Sequence, residues 1–233
     1  AKPDGGVRRL QIPGFRDRVA QRAVLQVLEP ALDPLFSDAA YGFRRGRGRE
    51  QARDRLLMHE RAGDRIVGET DIRAFFDAVA WWRIETRLRC LLGDEPAVDQ
   101  ILRWLEAPCT EGEPRTQGLP QGAPLSPLLS HLMLDRFDRA MTRAGHRHLR
   151  HGDTLVVVGA HRGAVEAALA RAARLFADMG CAPDRDAVRI AAFADGVRAF
   201  GYRFLGGLSL PGRRAALSVA VDERGADDAD AWG

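Results

Sequence analysis

Two aspartates carry the chemistry that this sequence could perform. Asp71 comes at the end of an apolar run from Ile66 to Ile72, and Asp153 lies in His151-Gly152-Asp153-Thr154 between alternating stretches. If the run is a strand and His148 to Val158 a neighbouring hairpin in one sheet, both carboxylates project to one place. Hard oxygen ligands grouped in that way suit magnesium, which keeps several waters and completes its shell with substrate phosphates. Such a site can run in-line phosphoryl or nucleotidyl transfer by the two-metal route. A strand-end Asp and a hairpin Asp also read as ordinary turn and cap residues, and spacing alone leaves both open.

The elements that must position them follow from periodicity and turn residues. Pro3-Asp4-Gly5-Gly6 reads as a turn, Val7 to Ile12 as a short strand, and Asp17 to Leu28 as a helix with Ala20, Val24, Val27 and Leu28 on one stripe. Gly42 to Gly48, with Arg44, Arg45 and Arg47 among its glycines and Arg49 just beyond, reads as a mobile basic loop. After the Ile66–Ile72 strand, helices are expected over Ile84–Leu92 and Pro96–Leu105, parted by Gly93-Asp94. Gly118 to Pro127 is too rich in Gly and Pro for a regular element and leads into a helix from Leu128 to about Ala144. Ala164–Met179 reads as a helix, and Val188–Phe193 and Tyr202–Leu205 as strands. The order predicts an α+β fold with antiparallel strands.

Composition narrows the class. The chain has 233 residues, of which 45% are hydrophobic and 29% charged, enough to bury a core without disulfide or metal staples. No apolar run approaches 18 residues and no signal-peptide pattern is visible, so a cytoplasmic protein without membrane contact is expected. Cys90, Cys109 and Cys181 are far apart without CxxC spacing and read as free thiols. Net charge is +3, yet residues 1–50 alone carry ten Lys and Arg against six Asp and Glu. Lys2 is the lone lysine, so almost all positive charge is guanidinium, which suits phosphate geometry.

Several segments together resemble a known family. Lys2-Pro3-Asp4-Gly5-Gly6-Val7-Arg8, Ile12-Pro13, Arg16-Asp17-Arg18-Val19 and Tyr41-Gly42-Phe43-Arg44 are similar to the fingers region of bacterial reverse transcriptases of the group II intron type. Asp71-Ile72-Arg73-Ala74-Phe75-Phe76-Asp77 resembles their first palm motif, and Gly118 to Leu129 the second. Phe200-Gly201-Tyr202-Arg203-Phe204-Leu205-Gly206 resembles the primer grip. The wording Leu119-Pro120-Gln121-Gly122-Ala123-Pro124-Leu125-Ser126-Pro127 is most similar to the CRISPR-associated branch, often fused to the CRISPR integrase.

The resemblance implies a right-hand polymerase: fingers over 1–65, palm over 66–206 with a helical insertion at 80–115, and a linker or tail over 207–233. Only 27 residues follow Gly206, so a thumb is expected to be absent or truncated. By the same resemblance Asp71, the Ile72 carbonyl and Asp153 hold magnesium or manganese, and Lys2 and Arg8 hold the triphosphate. Phe76 lies under the incoming sugar and Gln121 lines the nucleotide pocket; without the resemblance they read as a core aromatic and a loop amide. The implied partners are an RNA template, a DNA primer or single strand, and the CRISPR integrase complex, covalently fused. Departures are as informative. The third palm motif normally reads Tyr-Ala-Asp-Asp, so His151 replaces the tyrosine and Thr154 the second aspartate. Where the next motif ends in Lys-Thr, the aligned residues are Ala187 and Val188. That lysine is a candidate general acid. A carboxylate and a cation lost together imply weakened or lost catalysis, with a fully active polymerase as the alternative.

Overall fold

The computed structural model describes residues 11–73, 75–93, 95–107, 116–183 and 188–211, all within a single compact unit spanning 10–212. The first helix, α1, runs Phe15–Leu32 and is followed by the two-residue strand β1, Ala40–Tyr41, and helix α2, Arg49–Arg61. Strand β2 is Ile66–Arg73; helices α3 (Phe75–Ala78), α4 (Trp81–Leu92) and α5 (Pro96–Glu106) follow it. The long helix α6, Ser126–Arg143, leads into the hairpin of β3, Arg147–His151, and β4, Thr154–Gly159. Helix α7 is Arg162–Asp178, and the remaining strands are β5 (Ala182–Pro183), β6 (Arg189–Ala192), β7 (Val197–Ala199), β8 (Tyr202–Leu205) and β9 (Leu208–Pro211).

The main sheet is ordered β1-β3-β4-β2, with β5 and β6 both pairing the free side of β2. All its pairs are antiparallel except β1 with β3. Period-two alternation along β2 decides what each face meets. Ile66, Gly68 and Ile72 face the α6–α7 side, where Ile72, Leu155 and Val157 join Leu129, Leu132, Val165 and Phe176 in one core. Gly68 permits the closest approach, since a Cβ there would lie 2.6 Å from Val165 Cγ1. Val67, with Val156 and Val158, faces the second core, shared with Ala52 and Leu56 of α2 and with Val197, Phe200 and Phe204 of the small β7-β8-β9 sheet. Glu69 and Asp71 lie on that second face, beyond its apolar part.

Several expectations shift at their ends. The helix expected from Asp17 continues to Leu32 through Pro30, because Leu28 and Leu32 are buried in the α6–α7 core. The helix expected from Ile84 begins at Trp81, whose indole N–H donates to the Gly118 carbonyl at 2.6 Å. Of the strand expected over Val7–Ile12, residues 11 and 12 are not in a strand, and the others lie outside the described residues. The loop Gly42–Gly48, expected to be mobile, is tied to its surroundings by hydrogen bonds. Arg44 is buried and donates to both carboxylate oxygens of Asp33 and to the carbonyls of Ser37 and Ala40. The Gly42 N–H donates to Arg47 O at 2.7 Å, closing the loop on itself.

Candidate active site

Asp71 stands exposed near the end of β2, directly across the ladder from Thr154, the first residue of β4. Beside that pair, the Ile72 N–H donates to the Asp153 carbonyl at 3.0 Å. The two aspartates therefore come from adjoining positions at one end of one strand pair, as the sequence predicts. Gly152-Asp153 is the two-residue turn of the hairpin. Only its first residue has positive φ, +64° at Gly152, the type II′ pattern that favours glycine there.

The turn is fixed from below by a buried ion pair that the sequence did not suggest. Arg150 and Asp138 are both fully buried, with Nε and Nη2 of Arg150 donating to Asp138 at 3.0 and 2.6 Å. Nη1 of the same guanidinium donates to the Gly152 carbonyl at 2.8 Å. Burial pushes the Asp138 carboxyl up, but Arg150 and His148 outweigh it and hold it below the usual range. His131 joins this group, with Nε2 2.7 Å from the Gly42 carbonyl and Nδ1 3.4 Å from Arg150. Burial and then Arg150 depress its pKa to about 3, so the ring is neutral and can donate through Nε2 and accept through Nδ1.

A second unpredicted residue is Glu69, two positions before Asp71 and on the same face. Burial, then the charge of Asp71, raise its pKa to about 7, with Arg189 opposing. Alternation from Asp71 backwards would have placed it; the apolar character of the run around it drew attention away.

Backbone hydrogen bonds join the loop that carries Gln121 to the segment that carries Phe76. The Leu119 N–H donates to Phe76 O at 2.5 Å and the Gly118 N–H to Val79 O at 2.6 Å, tying the Gly-Pro loop to α3. Both side chains are half-buried; Phe76 meets Phe75 edge-on, and the Gln121 carbonyl accepts from the Gln11 N–H at 2.7 Å. His151, at the end of β3, lies between the rings of Phe43 and Phe200, 6.4 and 6.2 Å away. Lys2, Arg8 and Ala187 lie outside the described residues.

Among the described residues no group of three or more His, Cys, Asp and Glu could hold a metal ion. What the strand end offers is oxygen only: the Asp71 carboxylate, Asp153 in the adjoining turn, and the Ile72 carbonyl, on the same edge of β2 as its N–H to Asp153. That donor set does not suit a closed structural site. It fits magnesium, which keeps water and borrows phosphate oxygens.

Residues 1–201 match the family described as Reverse transcriptase (RNA-dependent DNA polymerase). The chain belongs to the reverse transcriptase family. The group II intron-encoded protein LtrA of Lactococcus lactis subsp. cremoris is 32% identical over 136 residues, 57% of this chain and 22% of LtrA. The fold agrees with that of apo telomerase from Candida tropicalis at TM-score 0.63, covering 84% of this chain and 45% of that one at 11% identity. A chain of a partial Cas6-RT-Cas1–Cas2 complex is 34% identical, covering 72% of this chain and 32% of that one, at TM-score 0.42. The chain spans 17% to 46% of the lengths of the curated relatives it matches. The α+β fold with antiparallel strands packed on helices is that of a reverse transcriptase palm, as the motifs imply. No described helix is long and apolar enough to cross a membrane.

Proposed function

We propose that this chain is the fingers and palm of an RNA-directed DNA polymerase whose catalysis is weakened at the hairpin motif. The observation that carries this is the register of Thr154 opposite Asp71, in a chain whose family match spans nearly its whole length. Fingers over 1–65, palm over 66–206 and a tail over 207–233 are the divisions this reading assigns. Asp71, Asp153 and the Ile72 carbonyl would hold magnesium or manganese, which when bound supplies charge neutralisation for nucleotidyl transfer. The chain's own residues do the rest. Lys2 and Arg8 bind the triphosphate, Gln121 lines the base pocket, and Phe76 blocks a 2′-hydroxyl. Thr154 puts a neutral oxygen where the family has an acid, so the site carries one negative charge fewer toward two dications. His151 and Ala187 are the other degenerate positions, at the primer end and at the lost general acid.

The natural partners of such a chain are an RNA template with a DNA primer, in the cytoplasm. The Leu119–Pro127 wording supports the CRISPR-associated branch, with service in spacer acquisition beside a fused integrase. Calorimetric titration of magnesium or manganese, with and without a deoxynucleoside triphosphate, tests the pocket. Binding should need both metal and nucleotide and should vanish in Asp71→Ala; metal-independent binding, or binding unchanged in that variant, overturns the assignment.

A further inference from the structure

A cleft of about 580 Å³ opens at the end of β3 remote from the hairpin turn, between α2, the edge strand β1 and the C-terminal end of α6. Strands rise about 3.3 Å per residue, so Arg147, in the cleft wall, stands about 13 Å along β3 from His151. Three guanidinium groups, Arg47, Arg55 and Arg147, line the cleft together with the imidazole of His59, and Asp38 is its single acid. None of the lining residues belongs to the proposed catalytic set.

The cations are unequally compensated. Asp64, fully buried behind the wall, accepts from Nη1 of Arg147 at 2.6 Å and lies 3.2 Å from Nδ1 of His59, which holds both side chains in place. Arg47 pairs with the exposed Asp38, and its guanidinium lies 5.9 Å from the centroid of the Tyr41 ring. Arg55 is exposed and has no carboxylate partner among the described residues. Its charge nevertheless bears on both Tyr41 and His59. Three fixed positive charges therefore answer to two carboxylates, one of them behind the wall, and the cleft is left positive.

His59 adds a signature. Because its Nδ1 faces a carboxylate, Nδ1 carries the ring proton and Nε2 is the acceptor of a neutral ring. Burial, then Arg55, push its pKa below the usual value; Asp64 opposes them, and Arg147 adds to the depression. An anion in the cleft would cancel the repulsion from Arg55 and Arg147 and make the protonated ring a further donor.

We propose that this cleft binds a compact phosphate anion, a diphosphate either free or carried by a nucleotide, held by Arg55, Arg147 and Arg47. Guanidinium forks match phosphate oxygens, and charge-assisted hydrogen bonds to them are the strong ones. The volume lies within the range of small-ligand pockets, about 300–1,000 Å³.

The test is calorimetric titration of the 233-residue chain with inorganic pyrophosphate and with ADP, at pH 6.5 and with a chelator so that no divalent metal contributes. Two buffers of different ionisation enthalpy count the protons taken up. Binding of at least one anion with net proton uptake is expected, and the tighter of the two tells a free diphosphate from a nucleotide. Arg55→Gln should weaken it by about 5- to 10-fold and leave the melting temperature unchanged. Arg103→Gln, which removes an exposed guanidinium on α5, should change neither. Equal weakening in the two variants would reduce the effect to general charge and overturn the site. Binding without proton uptake, or no binding of either anion, would overturn it as well. Displacement of the anion by an oligonucleotide lacking a terminal phosphate, with the same dependence on Arg55, would make the cleft a strand groove and also overturn the assignment.

Discussion

Replacing Asp138 by leucine should destabilise the chain far more than replacing Asp138 and Arg150 together. Both side chains are fully buried, and the guanidinium spends Nε and Nη2 on Asp138 and Nη1 on the Gly152 carbonyl. Taking the carboxylate away leaves a buried cation without its counter-charge, which costs about 3–5 kcal/mol, whereas swapping a whole buried pair for apolar groups of similar size is often neutral. Since a domain of this kind has only about 5–15 kcal/mol in total, Asp138→Leu alone removes a large share. Urea unfolding followed by far-ultraviolet circular dichroism should therefore show a midpoint collapse in Asp138→Leu and recovery to within about 1 kcal/mol in Asp138→Leu with Arg150→Met. The double variant should still bind nucleotide and magnesium more weakly, because the Gly152 carbonyl has lost its donor and the turn carrying Asp153 is loosened. A single variant costing under about 1 kcal/mol, or a double variant as unstable as the sum of the singles, would refute the claim that this pair is a coupled anchor of the turn.

His131 predicts a pH dependence. Its pKa falls from 6.5 to about 3 in the folded chain, so its contribution is complete above pH 6.5 and is lost as pH drops toward 3. Between pH 6.5 and 4.5 wild type should lose about 2 kcal/mol more than His131→Asn, measured from urea midpoints; parallel losses would show that the histidine is not held neutral. Gly68→Ala should cost about 1–3 kcal/mol by overpacking, since its new methyl meets Val165 and Leu169 at 2.6 and 3.0 Å. A thermal midpoint unchanged from wild type would mean that α7 can retreat freely from β2.

How much was legible in the sequence depends on how local each feature is. The strand ending in Asp71 and the hairpin tip at Asp153 were legible because an apolar run and a two-residue Gly-Asp turn are short-range signals. Their convergence was not local, but one antiparallel pairing of adjacent elements supplied it. The burial of Arg44 was not legible, because nothing distinguishes it from Arg45 or Arg47 except Asp33, eleven residues upstream and close only in the fold. Nothing local marks Arg150 for burial either, since its partner Asp138 lies across on α6. The parallel pairing of β1 with β3 rests on two residues, too few to leave any periodicity. The left-handed conformations of Phe43 and Phe200 have no sequence signature, since phenylalanine is among the residues least expected there.

The most direct test of weakened catalysis is primer extension on an RNA template, comparing wild type with Thr154→Asp. The substitution places a carboxylate directly across from Asp71 and returns the missing charge. Wild type should extend slowly or not at all, and the variant should rise roughly tenfold or more, equivalent to about 1.4 kcal/mol of transition-state stabilisation. Brisk extension by wild type that Thr154→Asp leaves unchanged would contradict it.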